Sequence, residues 1–142
     1  MIRRKISSAI DDLNTLNVLY PWIPSEHTIR PRREDLEAKW ATLDQIEREW
    51  PSMKEYIRVA VLKESASEWV FSPSIFRYNL PAYAQHWVLW NTRTDYSANF
   101  HDETINTVLN EFLVSQCATD FAWYKNPKPS VPEYYHVQVF WI

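Results

Sequence analysis

Glycine is absent from this chain of 142 residues, and cysteine occurs once, as Cys117. Phosphate-binding P-loops and dinucleotide folds need glycine for tight turns and for close backbone approach to the ligand. The strained strand-to-helix elbow of the α/β-hydrolases needs it as well, so those enzyme classes are excluded. Left-handed turn positions are then expected to fall to Asn and Asp. Asn79, Asn91, Asn99 and Asn126 stand where turns are needed. A lone cysteine allows neither an internal disulfide nor a cysteine-rich zinc site, and the expected setting is the reducing cytoplasm.

Long apolar runs are also missing. The longest, such as Trp87-Val88-Leu89-Trp90, are only a few residues, so no membrane span is expected. The basic start Met1-Ile2-Arg3-Arg4-Lys5 lacks the apolar segment of a secretory leader, because Asp11, Asp12 and Asn14 interrupt it. Nor is there an excess of positive charge. A net charge of −3 argues against a protein that coats long double-stranded DNA, which needs many Lys and Arg contacts to phosphate. Recognition of one nucleotide or of a strand end is not excluded by that number.

What is present is aromatic. Eight tryptophans stand in a chain whose charged fraction of 23% is ordinary for a globular protein. The length fits one domain, 1–142. Ile2, Ile6, Ile10, Leu13 and Leu16 predict a helix over 1–19, and Pro21, Pro24 and Pro31 mark an irregular connector after it. A second helix begins near Pro31, with Leu36, Trp40, Leu43 and Trp50 on one stripe that places both indoles in the core. Ser52-Met53-Lys54-Glu55 has capping-box spacing and opens a third, burying Met53, Tyr56, Ile57, Ala60 and Val61.

The pattern changes after Ser67. Residues 68–71 read as a short strand, 72–84 as a proline-punctuated loop, and 85–92 as a central strand, apolar on both faces. Ile105, Val108, Leu109, Phe112 and Leu113 form a helical stripe. Residues 120–125 and 133–142 are two more strands. The fold class is therefore α+β: a helical N-terminal half, then a mostly antiparallel sheet of about four strands with one helix packed on a face.

Along the last strand, Tyr135, Val137, Val139 and Trp141 point one way, toward that helix. Tyr134, His136, Gln138 and Phe140 point the other, a mixed face that needs solvent or a ligand. His86 and His136 would share it if their strands are neighbours. A third metal ligand has no recognisable spacing, so no metal and no cofactor is expected. Trp87 and Trp90 lie on opposite faces of their strand, and Trp123, beside the loop at Asn126, is expected to be an exposed ring. Arg77, Lys125 and Lys128 are the cations best placed for phosphate, and Glu133 for the edge of a base.

These residues also carry a resemblance. Tyr20-Pro21-Trp22, Trp50-Pro51 with Tyr56-Ile57, and Phe76 with Tyr78-Asn79-Leu80-Pro81 belong to it. So do His86-Trp87-Val88-Leu89-Trp90, Trp123-Tyr124-Lys125-Asn126-Pro127, Ser130-Val131-Pro132-Glu133 and His136-Val137. Over about residues 20–140, leaving out 1–19, the chain resembles the N-acetylglucosamine-induced-protein-like domain of fungi and large DNA viruses. The resemblance implies a fold and gives weight to His86, Trp90, Asn126 and His136, without bringing a reaction. In a virus the compartment would be the host cytoplasm. The Trp87–Trp90 segment is similar, more loosely, to the translation-initiation cap-binding proteins, which clamp a methylated guanine between tryptophans. The chain departs from them in lacking their glycines and the spacing of the second clamp residue.

The leading expectation is a binding module rather than an enzyme. Its aromatic pocket, of Trp87 or Trp90, Trp123 and Tyr134, would take a flat nucleotide-like ligand such as a free nucleotide or an RNA 5′ cap. The alternatives are an enzyme of amino-sugar or nucleotide-sugar metabolism using His86 and His136, and a structural or virion-associated protein that grips a protein partner.

Overall fold

A computed structural model describes residues 13–24, 33–76, 78–126, 129 and 131–142, and of 13–15 the backbone alone. Its elements are α1 (Leu13–Leu19), α2 (Arg33–Glu49), α3 (Met53–Tyr56), a π-helical turn (Ile57–Val61), β1 (Trp69–Pro73) and β2 (Gln85–Asn91). Then come α4 (Asp102–Ser115), β3 (Phe121–Tyr124) and β4 (His136–Trp141). The fold is α+β as expected, with an antiparallel sheet of order β1-β2-β4-β3. The part of the first predicted helix before residue 13 lies outside the described residues.

Ser52 caps α3 as its spacing predicts, accepting a hydrogen bond from the backbone N–H of Glu55 at 3.2 Å. The ladder then widens, and Leu62 N–H donates to Ile57 O five residues back. The chain leaves this turn through Lys63 and Glu64, both left-handed, at φ 54° and 53°.

Cys117, at φ 59°, is the third left-handed residue among those described. It ends α4 in a Schellman motif: Cys117 N–H reaches Val114 O and Ala118 N–H reaches Leu113 O, both at 3.1 Å. The expectation that asparagines take these positions is therefore corrected. Asn91 does organise a turn, but by accepting hydrogen bonds from Arg93 N–H and Thr94 Oγ1 on its side-chain oxygen.

Register decides the two faces of the sheet. Trp87, Leu89, Val137, Val139, Trp141, Phe121 and Trp123 share one face through their cross-strand partners. Leu89, Val137, Val139, Phe121 and Trp123 form one core cluster there with Ile105, Leu109 and Leu113 of α4, all fully buried. Burying each such aliphatic chain contributes about 1.5–3 kcal/mol. The opposite face carries His86, Val88 and Trp90 of β2 beside Phe140, Gln138 and His136 of β4. Over its Trp90 end sits a smaller core of Ile57, Leu62, Val131 and Tyr134. Trp40, expected in the core, is 55% exposed, because the inward stripe of α2 runs through Lys39, Leu43 and the buried Ile46 instead.

Candidate functional site

Strand alternation brings His86 and His136 to the same face, as the sequence suggested if β2 and β4 are neighbours. They are not directly opposed: His86 pairs with Phe140, and His136 with Trp90. Above this face lies an inner hollow of about 230 Å³. Lys39 and Leu43 of α2, Met53 and Ile57, Tyr78, and Asn126, Pro129 and Val131 wall it over Val88, Trp90, His136 and Gln138. Beside it an outer hollow of about 480 Å³ runs between His86 and a wall that includes Ser74, Phe76, Tyr78, Leu80 and Pro81. Pro73, Ser74, Phe76 and Tyr78 border both.

Three contacts hold the His86 ring. Its Nε2 lies 2.6 Å from Gln138 Oε1. Tyr78 stacks on it with centroids 4.5 Å apart, and Phe140 at 4.8 Å. Because the amide oxygen can only accept, Nε2 carries the proton and Nδ1 keeps a lone pair. That Nδ1 is buried and has no partner among the described residues. Burial pushes the pKa down to about 4, against the opposing pull of the Gln138 hydrogen bond.

His136 is held differently. Its Nδ1 donates to Tyr134 O at 2.9 Å, which leaves Nε2 as an acceptor. The ring packs 4.5 Å from Trp90 and 5.1 Å from Tyr96. Its pKa is lowered, first by burial and less by the Lys125 charge, while the Tyr134 carbonyl works the other way. Trp90 is 4% exposed, and its indole Nε1 finds no acceptor among the described residues.

Of the residues singled out in the sequence, Trp90, His136 and Asn126 line the inner hollow, and His86 borders the outer one. Tyr134 is buried in the neighbouring core and supplies the carbonyl that orients His136. Trp87 is on the other face of the sheet, 4.8 Å from Phe71. Trp123 is a correction: it is fully buried in the α4 core, not an exposed ring, and its Nε1 donates to Asn106 Oδ1 at 2.8 Å. Lys125 is turned away as well. Its Nζ donates to Tyr96 O at 2.9 Å and lies over the Tyr96 and Tyr135 rings. Glu133 is exposed and lines neither hollow. Arg77 and Lys128 lie outside the described residues.

Gln138, Lys39 and Tyr78 are among the lining residues that the sequence reading did not single out. Gln138 was visible as a polar member of the last strand's second face. Lys39 had a signal too, since it falls three residues after Leu36 and four before Leu43, inside an apolar stripe. Tyr78 carried part of the resemblance but no periodic signal, because a loop has no period to place its side chains.

Among the described residues no group of three or more His, Cys, Asp or Glu is placed to hold a metal ion. No described helix is long and apolar enough to cross a membrane. No family model and no curated protein matches the chain. A solved structure, the crystal structure of HTC1, is similar at 15% identity and a TM-score of 0.54, covering 80% of this chain and 76% of that one. At that identity the likeness concerns the fold alone.

Proposed function

We propose that this chain is a binding module whose inner hollow takes one planar ring of a nucleotide-like ligand. The observation that carries the reading is a single gap with an indole, an amide, an imidazole and one lysine on its walls. At about 230 Å³ it exceeds the roughly 150 Å³ cavity that holds a benzene, and is smaller than the 300–1,000 Å³ of a typical drug-sized site. One ring system fits those limits, and a phosphate would remain outside. Lys39, whose Nζ lies 5.1 Å from the Phe76 ring centroid, is the cation available to it. Trp90 is the only tryptophan among the described lining residues, so a methylated cap guanine would meet Trp90 and Tyr78 rather than two indoles.

A second support is independent of volume. The four residues weighted by the resemblance to the N-acetylglucosamine-induced-protein-like family, His86, Trp90, Asn126 and His136, all border the two hollows. Binding is favoured over acid–base catalysis because His86, at about 4, is neutral near pH 7 and already engaged by Gln138. The experiment is titration with the four nucleoside monophosphates, a cap analogue and nucleotide-sugars, read by calorimetry and tryptophan fluorescence. Saturable binding that Trp90→Phe weakens is the expected result. No heat and no fluorescence change with any of them would overturn the reading.

A further inference from the structure

The two outer strands of the sheet differ in what lies beside them. β3 is buried along its whole length, and its Phe121 N–H donates to Asp120 Oδ1 at 3.0 Å. β1 has no buried residue, and among the described residues no strand lies on its other side. Parity shows which of its backbone groups face outward. Thr92 N–H reaches Glu68 O at 2.8 Å and Ser74 N–H reaches His86 O at 3.0 Å, so the even-numbered residues here bond to β2. Trp69 and Phe71 therefore aim N–H and C=O away from the sheet, and neither N–H has an acceptor among the described residues. Pro73 offers a carbonyl alone.

An open row of backbone groups is a template for another strand, and proteins blunt such edges with charge, proline or a bulge. Residues 69–72 carry no charge, and proline comes only at the end, as Pro73. Glu68, just before them, is held by its own chain: it accepts from Asn91 Nδ2 at 3.2 Å, and Arg93 lies 3.9 Å away. The Trp69 and Phe71 rings lie on the α4 face, against Phe100 and Phe112, and Val70 lies on the opposite face.

We propose that β1 is a self-association edge, on which a second copy of this chain pairs antiparallel about Val70. In that register Trp69 of each copy faces Phe71 of the other as a hydrogen-bonded pair. Every outward N–H of these residues then meets an outward carbonyl. Centring on Phe71 would set Trp69 against Pro73, which has no N–H, and leave Trp69 O unmatched. Trp69 packs beside Phe71 of the other copy on one face, and Val70 beside Val70 on the other. Glu68 falls opposite Ser72, so no like charges meet. The contact is self-complementary, as a twofold axis requires, and it joins the two four-stranded sheets into one. That axis runs through the sheet, so both α4 helices cover one face and both sets of hollows lie on the other.

Sedimentation equilibrium and amide hydrogen exchange on the full chain test the proposal. The mass should rise from 17.0 kDa toward twice that value as the concentration is raised to about 1 mM. In step with it, exchange at the Trp69 and Phe71 amides should slow at least about tenfold, whereas Val70 and Ser72, already bonded to β2, should not change. A mass of 17.0 kDa at every concentration overturns the proposal, whatever other strand the edge accepts. A dimer whose Trp69 and Phe71 amides exchange as fast as in dilute solution overturns β1 as its seam. Oxidative crosslinking reads the register, in a Cys117→Ser background that removes the native thiol. Val70→Cys should crosslink to itself, because non-hydrogen-bonded partners have Cα atoms about 4.5 Å apart, within disulfide reach. Ser72→Cys, opposite position 68, should not. Equal crosslinking of both, or of Ser72→Cys alone, overturns the register centred on Val70. Should these variants fail to fold, the mass and exchange of the native chain decide.

Discussion

His86 should make the protein sensitive to mild acid. Its ordinary pKa of 6.5 falls to about 4 in the folded chain because burial disfavours the imidazolium. Between those values the unfolded chain binds the extra proton and the folded chain does not. Stability is therefore fully present above about pH 6.5 and is lost as the pH falls toward 4. Integrating that difference from pH 7 to pH 5 gives a loss of about 2 kcal/mol from this one group. His136, lowered for the same main reason, adds to it in the same direction. The comparison is between the native chain and His86→Phe, which retains a ring between Tyr78 and Phe140. Urea unfolding followed by tryptophan fluorescence at pH 7 and pH 5 yields the two stabilities for each. Carboxylates titrate alike in both chains and cancel, so the native chain should lose about 2 kcal/mol more than the variant. Equal losses would refute the reasoning, because His86 would then be reached by water in the folded state.

Two other expectations concern the framework. Trp123→Ala should cost about 3–5 kcal/mol in urea unfolding, as expected for a fully buried core indole, and Asn106→Ala about 1–3 kcal/mol by stranding the Trp123 N–H. Losses under 1 kcal/mol in both would mean that α4 does not seal this face. Cys117→Gly should raise stability by about 1 kcal/mol, since glycine takes the left-handed position of a Schellman motif without the Cβ clash. A lower melting temperature for that variant would contradict the strain assigned to Cys117.

Much of the framework was legible because it is periodic. The α4 stripe at Ile105, Leu109 and Leu113 and the alternation of β4 each point to a buried face, and the register carries both through. Loss of legibility begins where period gives no unique answer. In α2, Trp40 and Lys39 compete for the inward position, and residue type favours the tryptophan. Helix geometry favours the lysine, because the buried Ile46 lies seven residues, about two turns, beyond Lys39 and only six beyond Trp40. Trp123 misled for a related reason: a tryptophan beside a proline-rich loop reads as exposed, yet its strand position opposite Val139 puts it under α4. The π-helical turn and the paired left-handed residues after it have no pattern to read, since a chain without glycine offers no marker for them. At the site, the four residues that border the hollows lie on strands or just beyond one, whereas Tyr78 comes from a loop.

The unequal covering of the two sheet faces explains why a hollow exists where it does. One face receives the 14-residue α4, whose continuous stripe fills the space above Leu89, Val137 and Val139. The other receives only the Lys39–Leu43 edge of α2, a four-residue helix, a widened π-helical turn and irregular segments that include Ser74 and Pro129. Such pieces do not interlock as the ridges of one long helix do, and a gap of about 230 Å³ remains. Left dry and apolar, it would cost roughly 5 kcal/mol at about 24 cal/mol per Å³. That is comparable with the entire stability of many domains. Gln138, His136 and Lys39 on its walls relieve this cost by allowing the gap to hold water. Water held by a few fixed polar groups is also what a ligand that reproduces its hydrogen bonds displaces with least loss. The same side chains that make the gap tolerable in the free protein therefore set the terms on which a ligand can fill it.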